Sequence, residues 1–277
     1  MRVRAGRLAT RRYKVRGYKA QRLLLVIVGV GLGFAAATYL HGGAQKPLAL
    51  IEAAPAPTLP PEETQPDERT ITLSSQSWYA LQTGVYEGAA IARQEAESLR
   101  ARGAGGYVFQ KDGCRVLAAA YASRTDAQMV MTRLKTRHGL DAEVVEIVSP
   151  EVTLRLSGQK GQLTALSDAF SAVEKLCDHL YQLSLSLDRQ ETDAREALAA
   201  LKSEQDTLAA LKERLKSRFG ASAHPAVLSL EEILSDCVQS LNAASAAPNL
   251  TRLGAQVKYC HLACICRMAA YAAGLTE

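Results

Sequence analysis

The chain has 277 residues, a formal net charge of +5 and an aromatic content of only 5%, and its length suits one or two domains. Nine basic residues lie within residues 1–22, and no acid precedes Glu52. Subtracting those nine charges from +5 leaves −4 for the rest of the chain. The basic character therefore belongs to a tail, which argues against nucleic-acid binding by the folded part.

An uncharged, apolar run at residues 23–40 follows the basic tail directly. A helix of this length, at ~1.5 Å per residue, would span about 27 Å and predicts a single membrane-spanning segment. The positive-inside rule places residues 1–22 in the cytoplasm and the bulk of the chain outside the cell membrane. A cleaved signal peptide is the alternative, with small residues at Ala35–Ala37 as a cleavage site.

Residues 41–76 include the proline-rich stretch "APAPTLPPEETQPDE". Closely spaced prolines remove backbone donors and favour extended chain, and the acids keep the segment solvated. This composition predicts a linker that separates the membrane segment from a folded domain.

An internal repeat with an offset of 35 positions occupies residues 77–148, where Tyr86 falls on Tyr121 and Leu99 on Leu134. In each half, the pattern of apolar residues predicts a strand, then a helix and then a second strand. The sum is a βαββαβ unit of the ferredoxin-like α+β class. Its expected topology places the first and third strands side by side at the sheet centre, with helices on one face and the other face open.

The motif "YALQTGVY" at 79–86, followed at the matching spacing by "CRVLAAAYASRTDA" at 114–127, resembles the SPOR (sporulation-related repeat) domain. The resemblance implies binding of peptidoglycan on the open sheet face, in particular of glycan strands without peptide stems. It further implies targeting to sites of cell division or sporulation.

Four residues are candidates for glycan binding. By position in the family pattern, Gln82 and Arg115 help to form the binding face, and both side chains suit sugar hydroxyls. Tyr86 and Tyr121 are included as aromatic contacts, although these two and Trp78 could equally pack beneath the helices.

From residue 160 to residue 275 the apolar residues recur at steps of three and four, which predicts four helices in an antiparallel bundle. Asp188 is the predicted cap before the second helix, and Ser229 with Glu232 predicts a capping box before the third. The last helix is expected from Asn249 to about Ala273. Docking to division or sporulation proteins, or self-association, is the expected role of this bundle.

The stretch "CHLACICR" contains four potential metal ligands, Cys260, His261, Cys264 and Cys266. A metal site is therefore one interpretation of this stretch. Zinc sites usually combine two separated ligand pairs, and buried free cysteine commonly acts as a small apolar residue. We therefore predict core packing, with neither a metal nor a cofactor. Disulfides from Cys177 or Cys237 to the last helix are the alternative if the compartment is oxidising.

Enzyme motifs such as HExxH or the nucleophile elbow are absent from the sequence, so we expect a binding protein and not an enzyme. Residues 77–148 contain nine basic and eight acidic residues, which disfavours RNA binding by this sheet. The alternative function is a structural or interaction protein that docks through its C-terminal helices and has a SPOR-like fold without glycan affinity.

Overall fold

The structure is a computed structural model that describes residues 23–26, 66–111, 113–220 and 223–276. The basic tail, most of the linker and residues 27–40 lie outside these ranges. Among the described residues, no helix combines the length and the apolar content needed to cross a bilayer.

A four-stranded antiparallel sheet forms the centre of the N-terminal half. Its strands are β3 (Gln76–Tyr86), β4 (Tyr107–Gln110), β5 (Cys114–Tyr121) and β6 (Glu143–Ser149), in the spatial order β4-β5-β3-β6. The helices α1 (Ala89–Ala101) and α2 (Arg124–His138) complete a βαββαβ unit. The predicted ferredoxin-like topology is therefore confirmed, with the first and third strands of the unit adjacent at its centre.

The ends of α2 follow the predicted local chemistry. The Ser123 hydroxyl accepts a hydrogen bond from the backbone N–H of Asp126 at 3.4 Å, as an N-cap residue does. At the other end Gly139 is the C-cap in the left-handed conformation, with φ of 63°, which glycine adopts without a steric cost. These caps fix where the second helix of the unit begins and ends.

A second, smaller sheet extends the first one. It contains β2 (Asp67–Leu73) and β7 (Val152–Gly158), which pair in antiparallel fashion, and β1 (Leu23–Val26), which pairs in parallel with β7. Only two residues separate β2 from β3 and β6 from β7. The outer pair therefore continues the inner pair as one long two-stranded ribbon.

Two sequence predictions bear on this second sheet. The predicted linker ends earlier than residue 76, because Asp67–Leu73 pairs with β7 along its whole length. The sequence predicts a membrane-spanning helix over residues 23–40, of which the structure describes only Leu23–Val26, as a strand. A run of four apolar residues fits either a helix or a strand, and Leu23–Val26 pair in parallel with β7.

Four helices follow, as the apolar spacing of residues 160–275 predicts. They are α3 (Lys160–Asp188), α4 (Ala194–Phe219), α5 (Pro225–Ser245) and α6 (Leu250–Gly274). Asn249 caps α6 with its side-chain oxygen, which accepts from the backbone N–H of Arg252 at 2.9 Å.

Two predicted helix starts are wrong. The cap of α4 is Asp193, whose carboxylate accepts from the Glu196 N–H at 2.8 Å in a capping box, whereas Asp188 is the last residue of α3. Helix α5 begins at Pro225, one turn before the predicted start at Ser229. Proline favours the first helical position because its missing N–H needs no partner there.

One hydrophobic core joins the sheet unit to the four helices. A single cluster of buried side chains includes Trp78 and Leu117 from the central strands, Leu180 from α3 and Leu262 from α6. A smaller cluster lies between β5 and α1. The helices α1 and α2 cover one face of the central sheet, and α6 packs against its other face.

Candidate functional site

The two predicted polar site residues meet on the central strands. Arg115 on β5 donates a hydrogen bond from Nη1 to Oε1 of Gln82 on β3, at 2.8 Å. The Arg115 Nε also donates to the carbonyl of Lys111 at 3.0 Å, which holds the guanidinium in place. The adjacency that the strand order predicts is thus present, while the role of the pair in binding stays a prediction.

Residues that pair across antiparallel strands point to the same face of a sheet. Gln82 pairs with Glu143 on β6 and with Leu117 on β5, and Arg115 pairs with Val85 on β3. Phe109 on β4 pairs with Arg115 in turn. These residues therefore lie on the face opposite α1 and α2, where Val85 is 51% exposed and Glu143 is exposed.

The candidate site is a strip of four residues across this face, one from each strand: Glu143, Gln82, Arg115 and Phe109. Gln82 is only 6% exposed because it lies in the sheet centre beneath its neighbours. Arg115 and Phe109 are half-buried. The strip combines a carboxylate, an amide, a guanidinium and an aromatic ring, which together offer hydrogen-bond donors, acceptors and an apolar plane.

Helix α6 covers the remainder of the same face, which the sequence predicts to be open. The ring of Trp78 meets the imidazole of His261 edge-on, with centroids 4.6 Å apart. Tyr107 on β4 meets Tyr259 in the same way at 5.5 Å. The expectation of a fully open face is wrong, because apolar side chains of β3, β4 and β5 are buried by a helix distant in sequence.

Tyr86 lies on the wrong side of the sheet for the predicted role. The pairing register of β3 with β5 shifts between Gln82 and Gly84, so the alternation of faces is inverted beyond that point. Tyr86 consequently pairs with Cys114 and packs in the cluster under α1. Burial and the nearby Glu95 raise the pKa of its hydroxyl.

Tyr121 is displaced by the same mechanism on the partner strand. Between Ala120 and Leu117, β5 passes three residues while β3 passes two, so Tyr121 lies on the face opposite to Arg115. It pairs with Tyr79, over whose ring the Arg124 guanidinium of α2 lies at 5.1 Å. Tyr121 is 8% exposed, and burial raises its pKa. It is a core residue and not a surface aromatic.

Trp78 also belongs to the core. Its ring is in edge contact with both His261 and Tyr181, at 4.6 and 5.3 Å, and it is 6% exposed. Burial lowers the pKa of His261 to about 3, so the imidazole is neutral at physiological pH. The aromatics of residues 78–86 therefore build the junction between the sheet and the helices.

Phe109 and Glu143 are the site residues that the sequence analysis missed. Both lie on edge strands, where they pair with a central-strand residue of the site. Side chains alternate between the two faces along the "YVFQ" and "EVVEIVS" strands. This alternation places Phe109 and Glu143 on the face of Gln82 only when the register of the sheet is known.

The cysteines are buried in the helical core. All six thiols of the chain are free and buried, and a hydrogen bond to Cys264 together with burial raises the pKa of Cys237. Within the described ranges, no group of three or more Cys, His, Asp or Glu residues is arranged to hold a metal ion.

Comparison with known protein families identifies a SPOR domain at residues 75–146, about a quarter of the chain. This family is known for binding peptidoglycan. The match spans β3 to β6 with both intervening helices, which is the ferredoxin-like unit that carries the strip. No curated protein and no solved structure matches the chain.

Proposed function

We propose that the SPOR domain binds glycan strands of peptidoglycan that lack peptide stems, and that the strip on its sheet is the contact surface. The observation that carries this proposal is the Gln82–Arg115 pair, held at 2.8 Å next to the exposed residues Val85 and Glu143. A buried amide in such a pair is preorganised, so little side-chain entropy is lost when a ligand binds.

The chemistry of the strip suits a neutral sugar chain. Pyranose rings present apolar C–H faces and hydroxyl edges, so a sugar site needs donors and acceptors beside an aromatic plane. Arg115 supplies donors, Glu143 supplies acceptors, and Phe109 supplies the plane. The opposite charges of Arg115 and Glu143 keep the strip close to neutral.

The chain acts as a binding and targeting protein and not as an enzyme, in this proposal. The polar groups of the strip are a guanidinium, an amide and a carboxylate, with no nucleophile beside a base of the kind that covalent catalysis needs. Recognition of denuded glycan would direct the protein to sites of division or sporulation, where such strands are exposed.

We propose further that the described domains lie outside the cell membrane, with residues 1–22 in the cytoplasm. Support comes from the nine basic residues before the apolar run at residues 23–40. Leu23–Val26 cannot both lie in a bilayer and pair with β7, so this proposal requires that the membrane-anchored protein does not form the β1–β7 pairing. Labelling of a cysteine introduced at Thr64 in intact cells tests the location, and labelling only after lysis would place the domains in the cytoplasm.

The second candidate function is an interaction protein that docks through its C-terminal helices. The specific observation in its favour is that α6 covers part of the sheet face that carries the site.

Retention of the protein on purified cell wall separates the two candidates. Pretreatment of the wall with an amidase removes peptide stems, so a glycan-binding protein should be retained more strongly after treatment. Arg115→Ala should reduce the increase by about fivefold or more, whereas Arg137→Ala, at an exposed position at the end of α2, should preserve it. No retention by either wall would favour the interaction protein.

A further inference from the structure

The direction in which a glycan lies on the site follows from the packing of α6. On β3 and β5, the residues toward Trp78 and Leu117 are buried in the core, and the residues toward Val85 and Arg115 reach the surface. One end of every strand is thus covered on this face. A ligand that ran along the strands would meet α6.

Helix α6 is packed too closely to leave room for a sugar. A Cβ added to Gly105, in the loop before β4, would lie 2.9 Å from Leu262 Cδ1 and 3.1 Å from the carbonyl carbon of Lys258. The Lys258 ammonium donates to the Gly103 carbonyl at 3.0 Å and pairs with Asp188 at 2.6 Å. The backbone of the helix is therefore in contact with the sheet unit.

The exposed Glu143, the buried Gln82 and the half-buried Arg115 and Phe109 form a row across the strands. Register places Glu143 beside Gln82, the hydrogen bond places Gln82 beside Arg115, and register places Arg115 beside Phe109. Three inter-strand spacings of ~4.8 Å make this row about 14 Å long. The row crosses all four strands, so it stays clear of the strand ends that α6 covers.

We propose that the glycan strand lies across the strands, from Glu143 at the β6 edge to Phe109 at the β4 edge, with α6 as the boundary of the site on one side. This inference rests on the proposed function and adds Phe109 and Glu143 as specificity-determining residues. The carboxylate of Glu143 accepts from sugar hydroxyl or acetamido N–H groups, and the Phe109 ring packs on the apolar face of a sugar.

Two variants and their matched controls test the residues, with denuded glycan oligosaccharides as the probe and thermal melting as the check of folding. Glu143→Ala should weaken binding about tenfold, the lower value for a lost hydrogen bond to a charged group, whereas Glu146→Ala should not. Glu146 lies on the opposite face of the same strand, paired with Arg124. Phe109→Leu, which keeps an apolar side chain but loses the ring, should also weaken binding, whereas the neighbouring Gln110→Ala should not.

An oligosaccharide with a nitroxide at its reducing end tests the direction. Broadening of amide resonances at the β4 or β6 edge, near Phe109 or Glu143, supports the crossing path. Broadening centred on Gly88 or Gly113, beyond the open ends of β3 and β5, overturns it. The crossing path is also overturned if Glu143→Ala and Phe109→Leu bind with unchanged affinity while Gln82→Ala and Arg115→Ala bind more weakly. That result would leave the proposed function intact. Unchanged binding in all four variants contradicts the proposed function itself.

Discussion

At the scale of single residues, two irregularities in the β3–β5 pairing decide which side chains reach the candidate site. Without the shift between Gln82 and Gly84, Tyr86 would share the face of Gln82, as the simple alternation of a strand requires. The second shift has the same effect on Tyr121 relative to Arg115. Simple alternation in the sequence predicts Tyr86 and Tyr121 on the face of the candidate site, but the two shifts place both tyrosines on the opposite face.

A substitution of Tyr86 separates packing from binding. Tyr86→Ala should lower the melting temperature, because the ring packs in the cluster with Ala92 and Val116, and should leave glycan affinity unchanged within a factor of two or so. Arg115→Ala should show the converse, with lost affinity and an almost unchanged melting temperature. Loss of affinity by folded Tyr86→Ala would return the tyrosine to the site.

His261 predicts a pH dependence of stability. Burial lowers the pKa of His261 from 6.5 to about 3 in the folded state. The imidazole therefore binds a proton more readily in the unfolded chain. The unfolding free energy should therefore decrease as the pH falls from 6.5 toward 3, by up to ~1.4 kcal/mol per pH unit.

The contribution of His261 is isolated by comparison with His261→Gln, which removes the titration and keeps a polar side chain. Urea unfolding of both proteins between pH 7 and pH 4 should show the wild type losing more stability than the variant. Parallel curves would contradict a neutral, buried imidazole between Trp78 and Tyr181.

At the scale of elements, the close contact of α6 with the sheet unit gives a matched pair of glycine substitutions. Gly105→Ala places a Cβ 3.1 Å from the backbone of both Lys258 and Ala118 and should destabilise the protein by about 1–3 kcal/mol. Gly254→Ala, within α6, meets no atom within 4 Å and should stabilise the helix by up to ~1 kcal/mol. Chemical denaturation measures both, and equal effects would contradict the packing of α6.

The helices and strands can be predicted from the sequence where neighbouring residues of the same segment specify them, through periodicity and helix caps. The repeat at residues 77–148 carries period-two strands and capped helices, and it yields the βαββαβ order. The alternation of Val152, Leu154 and Leu156 with polar residues is likewise a local signal of β7, a strand that the sequence prediction does not include. Strand β2 was hidden because its charged first half, Asp67–Arg69, continues the composition of the linker.

The position of α6 was not predictable in this way. An apolar face of a helix indicates that the helix is buried but not which surface buries it, and the contact of His261 with Trp78 joins residues far apart in the chain. The pairing shifts at Gln82 and Leu117 likewise depend on the partner strand. The sequence therefore identifies the polar pair of the site but not its limits.

At the scale of the whole molecule, the continuous core makes the sheet unit and the four helices one cooperative structure. Trp78 is the single tryptophan of the chain and lies at the junction, between Tyr181 of α3 and His261 of α6. Its fluorescence therefore reports the junction, while far-ultraviolet circular dichroism reports mainly the helices.

Both signals should change at the same denaturant concentration, because separation of the two halves would expose Trp78 and Leu117 to water. A fluorescence transition that precedes the loss of helix would indicate two independent domains. It would also mean that α6 can leave the sheet face, and the site would then be larger than the strip.

The central claim is that Gln82 and Arg115 together bind denuded glycan, and equilibrium titration of the two single variants and the double variant tests it most directly. A neutral hydrogen bond contributes ~1 kcal/mol net, so Gln82→Ala should weaken binding about fivefold, and Arg115→Ala somewhat more. Because the two side chains are bonded to each other at 2.8 Å, their effects should not add, so the double variant should bind more weakly than either single variant but less weakly than the product of the two losses requires. Unchanged affinity in a folded double variant would contradict the sheet face as the glycan site.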